Sequence, residues 1–317
     1  MTPTGSRTIR IATRGSRLAL WQAHAVADRL HSSGVRTEIL TFMTTGDRSQ
    51  HGPVAGDDSK RQFVKELEDA LLRGDADLAV HSAKDLPVEL PEGLTVAACL
   101  PREDPRDGII LPGAPGHMSA AEVFARLRSG ATIGTGSVRR GALLKPLLPG
   151  ATFTPVRGNV DTRLAKLDAG AFDALVLACA GLRRLGFGPR ITAAIPLEQC
   201  VPAPGQGIVA TEIRSDDEPI RTALRSLHDE AAGRALAAER ALVATLGGGC
   251  QLPLGALAEE RNGTLHLMAV VASLDGARRI AQSMSGPTDN PQRLGRQVAE
   301  ALAADGARAL LDEVGSS

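Results

Sequence analysis

At the start of the chain, hydrophobic and polar positions switch between two periods. Thr8–Thr13 (TIRIAT) alternates with period two, as a half-buried strand does. Leu18, Trp21, Ala25, Val26 and Leu30 then recur at helical spacing. Glu38–Met43 reads as a second strand. Phe63, Val64, Leu67, Ala70 and Leu71 mark a second amphipathic helix, and Asp77–Val80 a third strand. The order β-α-β-α-β predicts a mostly parallel sheet with helices on both faces.

The pattern restarts after Asp107. Ala131–Gly134, Thr152–Val156 and Ala174–Ala178 read as strands, separated by helices over Ser137–Leu148 and Asn159–Leu167, with Ser137 as N-cap. The stiff turn-rich segment Val201–Gly207 (VPAPGQG) marks a crossing between domains. From Ile220 to about Leu246 the chain is Ala- and Arg-rich with helical period, until Gly247-Gly248-Gly249-Cys250 breaks it. Strand candidates Leu265–Ala272 and Arg278–Ser283 follow. A last helix opens at Asn290-Pro291 and stops at Gly306.

Length agrees with this division. A single core stops growing near about 250–300 residues, and the chain has 317. The longest apolar run, Ala174–Leu182, is well short of the roughly 18 residues that span a bilayer. The N-terminus has no apolar h-region, so a cytoplasmic protein without membrane attachment is expected. Lys+Arg and Asp+Glu balance at 36 each, which argues against a general polyanion binder. Aromatics make up 2% with no Tyr, too few to stack bases, so no nucleic-acid partner is expected. The four cysteines form no CxxC pair, and no metal site is expected.

The chemistry concentrates in the turns after strands. Arg14 and Ser16 follow the first strand, and Lys84 and Asp85 the third, within His81-Ser82-Ala83-Lys84-Asp85. Arg139 and Arg140 follow Gly134-Thr135-Gly136-Ser137, and Arg157 and Arg163 flank Gly158–Thr162. Open α/β sheets bind ligands beyond the carboxyl ends of their strands, where helix N-termini already favour anions. Guanidinium forks there suit carboxylates or phosphates. The plain alternative is that each arginine is a solvated surface charge. Asp85 is either a carboxylate that stabilises positive charge or half of a Lys-Asp surface pair. His81 is either a base or a structural histidine at a strand end. Gly205-x-Gly207-x-x-Ala210 lacks the βαβ context of a dinucleotide site. Cys250 follows three glycines, so its thiol is either accessible and open to covalent chemistry or a buried loop cysteine.

Several stretches resemble porphobilinogen deaminases: Arg10–Ser16 (RIATRGS), Leu18–Ala23, His81–Pro87 (HSAKDLP), Arg102–Asp107, Arg157–Arg163 (RGNVDTR), Ala180–Leu182, Pro202–Gly207 and Gly248–Pro253 (GGCQLP). They run in order from residue 10 to about 255. The resemblance implies two α/β lobes of the periplasmic-binding-protein type plus a small α+β C-terminal domain. Domain 1 would be residues 1–104 with 206–222, domain 2 residues 105–205, and domain 3 residues 223–317. It implies a dipyrromethane cofactor joined by a thioether to Cys250, with Asp85 as the catalytic carboxylate near the pyrrole nitrogens.

The same resemblance places Ser82, Lys84, Asp85, Thr135, Ser137, Arg139, Arg140 and Arg163 around the cofactor. It places Arg14, Ser16, Phe63, Arg157 and Arg184 around the substrate, porphobilinogen. The implied activity is stepwise: porphobilinogen loses ammonia, the terminal pyrrole α-carbon attacks, a proton leaves, and after four rounds water releases hydroxymethylbilane. A monomer is implied. Two stretches depart from the family pattern: the segment before Phe63 reads Gly56-Asp57-Asp58-Ser59-Lys60-Arg61-Gln62, where relatives carry a Gly-rich lid, and Gly136-Ser137 stands where relatives often have two hydroxyl residues. The competing class is a non-catalytic two-lobed binder of small dianions, which gives no reason for Cys250.

Overall fold

The computed structural model describes residues 8–43, 58–113, 118–247 and 252–315. Along the chain come β1 (Ile9–Arg14), α1 (Arg17–Ser32), β2 (Thr37–Phe42), α2 (Asp58–Arg73), β3 (Leu78–Ser82) and β4 (Leu94–Cys99). A second run follows: β5 (Asp107–Ile110), α3 (Ala120–Arg126), β6 (Thr132–Gly134), α4 (Val138–Leu144), β7 (Thr152–Thr154), α5 (Val160–Asp168), β8 (Ala174–Ala178), α6 (Cys179–Arg184) and β9 (Ala193–Ala194). Then β10 (Val209–Arg214), α7 (Glu218–Leu224) and α8 (Glu230–Leu246) lead to β11 (Leu254–Arg261), β12 (Thr264–Ala272) and β13 (Arg279–Pro287), closed by α9 (Pro291–Ala304) and α10 (Ala307–Gly315).

The chain divides into two compact units, residues 1–102 with 208–233 and residues 103–207 with 234–317. The first holds a sheet in the order β2-β1-β3-β10-β4, with β1 parallel to β2 and β3, and β10 antiparallel to β3 and β4. The second holds β7-β6-β8-β5-β9, with β6 parallel to β7 and β8, and β5 antiparallel to β8 and β9. Both sheets therefore share one plan: a parallel trio around its first strand, then one reversed strand. The reversed strand is in each case the first strand after the chain passes between units. The α/β architecture expected from the pattern is present; the reversed strands β5 and β10 are the difference, because the direction in which a strand enters a sheet is set by its neighbours and not by the pattern along the strand itself.

Local sequence explains the elements. In α1, Ser16 Oγ accepts from the Ala19 N–H at 3.3 Å, and Ala19, Gln22, Ala23, Val26, Ala27 and Leu30 form its buried face. These pack with Ile9, Ile11, Leu78 and Val80 of the sheet. Burying a side chain such as Ile11 or Leu78 contributes roughly 1.5–3 kcal/mol. In the second unit, Ile133, Val176 and Ile109 share one core with Leu257 and Val270 of the antiparallel β11–β12–β13 sheet. The helix expected over Ser137–Leu148 ends at Leu144 and tightens into a 3-10 turn, Lys145–Leu147. Pro146 is the cause, since it has no N–H to continue the α-helical ladder. Among the described residues no helix is long and apolar enough to cross a membrane.

Candidate functional site

In the first unit, β1 and β3 are parallel neighbours, so their carboxyl ends lie at one edge of the sheet. β1 ends at Arg14, and Gly15 and Ser16 turn the chain into α1. β3 ends at Ser82 and passes into a 3-10 turn, Ala83–Asp85. The turn is pinned by the Ala83 N–H donating to the Ile208 carbonyl at 2.9 Å. Between these ends lies a cavity of about 60 Å³ lined by Arg14, Ser16, Gln22, His81, Ser82 and Asp85, with Leu18, Ala19, Val64 and Val80 supplying its apolar wall.

The polar groups of this cavity are fixed from behind. Gln22, 2% exposed, donates from Nε2 to Ser82 Oγ at 2.8 Å. Ser16 Oγ accepts from the helix end. Both hydroxyls thus accept from the protein and keep their own O–H to donate. Behind them His81 Nε2 stands 3.0 Å from Glu212 Oε2, both side chains buried. Lys84 is half-buried in the same turn but is not part of the cavity wall.

In the second unit, Ser137 caps α4, accepting from the Arg140 N–H at 3.4 Å. Thr135 Oγ1 accepts from the Ser137 N–H at 3.3 Å. Arg163 donates from Nε to the Gly158 carbonyl at 2.7 Å. A methyl group on Gly136 would come within 3.8 Å of Arg163 Nη1, so Arg163 lies over the Thr135–Ser137 turn. Gly158 has φ +107°, and a Cβ there would meet Thr162 Cγ2 at 2.9 Å. Arg157 is exposed beside it. Arg184 donates to the Gly207 carbonyl at 2.6 Å, and burial pulls its guanidinium down to about 10 against the opposing pull of Glu103.

Arg139 and Arg140 lie apart from that turn surface, 3% and 6% exposed. Arg139 donates to Asp107 Oδ2 at 2.7 Å and to the Val201 carbonyl at 2.6 Å. Arg140 donates from Nε to Asp107 Oδ1 at 2.9 Å and to the Val176 carbonyl at 3.1 Å. Gln206 donates to Asp107 Oδ1 at 2.9 Å. Burial by itself would raise the Asp107 carboxyl; the charges of Arg139 and Arg140, with the hydrogen bonds from Arg140 and Gln206, outweigh it and hold the group far below the usual carboxylate range.

The structure thus brings Arg14, Ser16, Ser82 and Asp85 together in one cavity, and Thr135, Ser137 and Arg163 around one turn. Gln22, Glu212, Asp107 and Gln206 were not singled out by the sequence. The signal at Gln22 was a polar residue on the apolar stripe of α1. At Asp107 it was a carboxylate opening the run Asp-Gly-Ile-Ile. Cys99, Cys179 and Cys200 are free and buried. Burial pushes the Cys179 and Cys200 thiols up to about 12. Cys250, the segment 48–57 and the side chains of Lys60 and Phe63 lie outside the described residues. Among the described residues no group of three or more His, Cys, Asp or Glu side chains could hold a metal ion.

Two family models match successive parts of the chain. Residues 9–222 match the model of the porphobilinogen deaminase dipyrromethane cofactor-binding domain, and residues 234–304 the model of the porphobilinogen deaminase C-terminal domain. Porphobilinogen deaminase of Syntrophus aciditrophicus is 42% identical over 308 residues, 96% of this chain and 98% of that protein. The porphobilinogen deaminase of Desulforudis audaxviator is 47% identical over 313 residues, 97% of this chain and 98% of that one. Among solved structures, the methionine-binding protein MetQ is similar at a TM-score of 0.43 with 13% identity, over 69% of this chain and 89% of that chain. Two family models that together span most of the chain, and relatives matched over nearly their whole length, establish that this chain belongs to the porphobilinogen deaminase family of enzymes.

Proposed function

We propose that this chain condenses four porphobilinogen molecules head-to-tail on a dipyrromethane held by a thioether to Cys250, and releases hydroxymethylbilane by hydrolysis. The observation that carries the reading is the cavity in which a single carboxylate, Asp85, stands among Arg14, Ser16 and Ser82. These donors fit a group made of pyrroles with carboxylate side chains. Arg14 and the two hydroxyl groups hold carboxylates, and Asp85 accepts from pyrrole N–H groups and stabilises positive charge on the ring. When bound, the dipyrromethane supplies the pyrrole α-carbon from which the product grows.

Thr135, Ser137 and Arg163 offer a second set of carboxylate donors, with Lys84, Arg157, Arg184 and Phe63 completing the ligand contacts. Arg139 and Arg140 serve the cofactor side through the buried frame they build on Asp107. Cys250 is the anchor because the other thiols are buried, and those of Cys179 and Cys200 stay protonated at neutral pH. The chain works as a cytoplasmic monomer without nucleic acid. Its functional division is three domains, residues 1–104 with 206–222, 105–205 and 223–317.

Intact mass spectrometry of the purified protein beside a Cys250→Ala control tests this. An added mass of two condensed porphobilinogen units, absent from the control, is the expected result. An unmodified wild-type mass that stays unchanged after adding porphobilinogen overturns it.

A further inference from the structure

Around the turn Thr135-Gly136-Ser137 the second unit assembles donors. Thr135 Oγ1 accepts from the Ser137 N–H at 3.3 Å, and Ser137 Oγ from the Arg140 N–H at 3.4 Å. Each hydroxyl therefore has its own proton left to give. Arg163 stands over the turn, with Nε on the Gly158 carbonyl at 2.7 Å. Its Nη1 and Nη2 lie 3.8 and 4.0 Å from the point a Cβ of Gly136 would occupy.

The middle residue of the turn is the unusual one. The Thr135 N–H donates to the Thr154 carbonyl at 3.0 Å, whereas the N–H of Gly136, an exposed residue, makes no hydrogen bond among the described residues. Backbone angle does not demand glycine here, because Gly136 is not among the glycines of positive φ. What glycine provides is space. A Cβ would stand 3.2 Å from the Val156 carbonyl oxygen and would occupy the gap between the turn and the Arg163 guanidinium. The gap is thus kept open beside an N–H, two hydroxyls and a guanidinium, a donor set that suits an anion. The Val156 carbonyl borders it on one side, so an anion seated there lies away from that oxygen.

We propose that Gly136 is a binding residue for the cofactor in this chain. Its N–H donates to a carboxylate side chain of the dipyrromethane that Arg163 holds from the other side, and the missing Cβ is what lets that oxygen reach the backbone. An N–H fixed in a turn donates without the loss of rotamer freedom that a side-chain donor pays. Gly136 is one of the places where the chain departs from the family pattern, and the backbone there does the work of a hydroxyl. This rests on the reading of Thr135, Ser137 and Arg163 as the carboxylate donors around a dipyrromethane.

The test compares full-length wild type with Cys250→Ala, both carrying nitrogen-labelled glycine and each first weighed intact. The Gly136 amide, identified by the NMR peak lost in Gly136→Ala, is expected to move downfield and to exchange more slowly with solvent in loaded wild type than in Cys250→Ala. Loading of the apo-protein by porphobilinogen, followed by mass, is expected to slow about 10-fold in Gly136→Ala. Gly136→Ser is expected to slow as much, because it too fills the gap. Serine that loads as fast as wild type overturns the inference, since a hydroxyl would then serve as well as the N–H. A Gly136 amide that is the same in loaded wild type and in Cys250→Ala also overturns it, and this comparison decides alone where circular dichroism shows a variant to be unfolded. Wild type that carries no dipyrromethane, even after porphobilinogen is added, removes the reading of the site and the inference with it; loaded wild type with an unmoved Gly136 amide removes the inference alone.

Discussion

Arg139 Nη2 meets Asp107 Oδ2 at 2.7 Å in the interior of the second unit, with the two side chains 3% and 0% exposed. Arg140 takes the other oxygen of the same carboxylate at 2.8 Å. One anion therefore holds two cations, and through them the Val201 and Val176 carbonyls. Removing Asp107 leaves two buried guanidiniums uncompensated. Asp107→Ala is expected to cost about 3–5 kcal/mol or to prevent folding, read from urea unfolding; a loss below about 1 kcal/mol would show that water reaches the pair.

The same pair sets an acid limit. The folded Asp107 carboxyl is depressed, so its contribution to stability is present in full above the unfolded value of about 3.9 and is lost as pH falls from there toward the folded value. Unfolding free energy measured between about pH 5 and pH 2 should fall more steeply for wild type than for Asp107→Asn. Parallel curves would assign the acid sensitivity to other carboxylates.

Asp85→Asn removes a charge and almost no volume. Turnover is expected to drop at least roughly 100-fold, with the unfolding midpoint unchanged because Asp85 is half-buried in a surface turn. Steady-state rates on mass-verified loaded protein decide it, and near-normal turnover would move the charge-stabilising role elsewhere.

Gly158→Ala should be costly for a reason of backbone. The φ of +107° and the 2.9 Å approach to Thr162 together predict a loss of about 1–3 kcal/mol. Arg163, anchored on the Gly158 carbonyl, should shift with it, so the variant should also load cofactor more slowly. Thermal melting and a time course of loading by mass report the two effects separately.

Thiol alkylation in native buffer near pH 8 should leave Cys99, Cys179 and Cys200 unmodified, since all three are buried and the last two are held up near 12. Peptide mapping after alkylation would show this; labelling of Cys200 would mean that the Asp107 cluster opens on the timescale of the reagent.

The sequence carried the parallel strands and their helices well, because β1 alternates with period two, β3 and β8 are largely apolar runs, and turns or caps follow each of them. It did not carry β10, whose Thr211 and Glu212 look like surface residues yet are fully buried. Their polar atoms are met across strands, by the Ala98 backbone and by His81, and no pattern along one segment shows that. The site behaved alike. Arg14, Ser16, Ser82 and Asp85 were legible because each ends or follows a strand. The role of Asp107 in engaging Arg139 and Arg140 was not, because 32 residues of chain separate the first pair.

The reversed strand β10 has a consequence for biosynthesis. In the first sheet it lies between β3 and β4, which touch each other only through it. The whole stretch 103–207 must leave the ribosome before β10 exists. At 5–20 residues per second that is a delay of roughly 5–20 s. Throughout it the β3 edge of the sheet stays open and β4 has no strand beside it, so the first half of the nascent enzyme waits, unfinished, on the second.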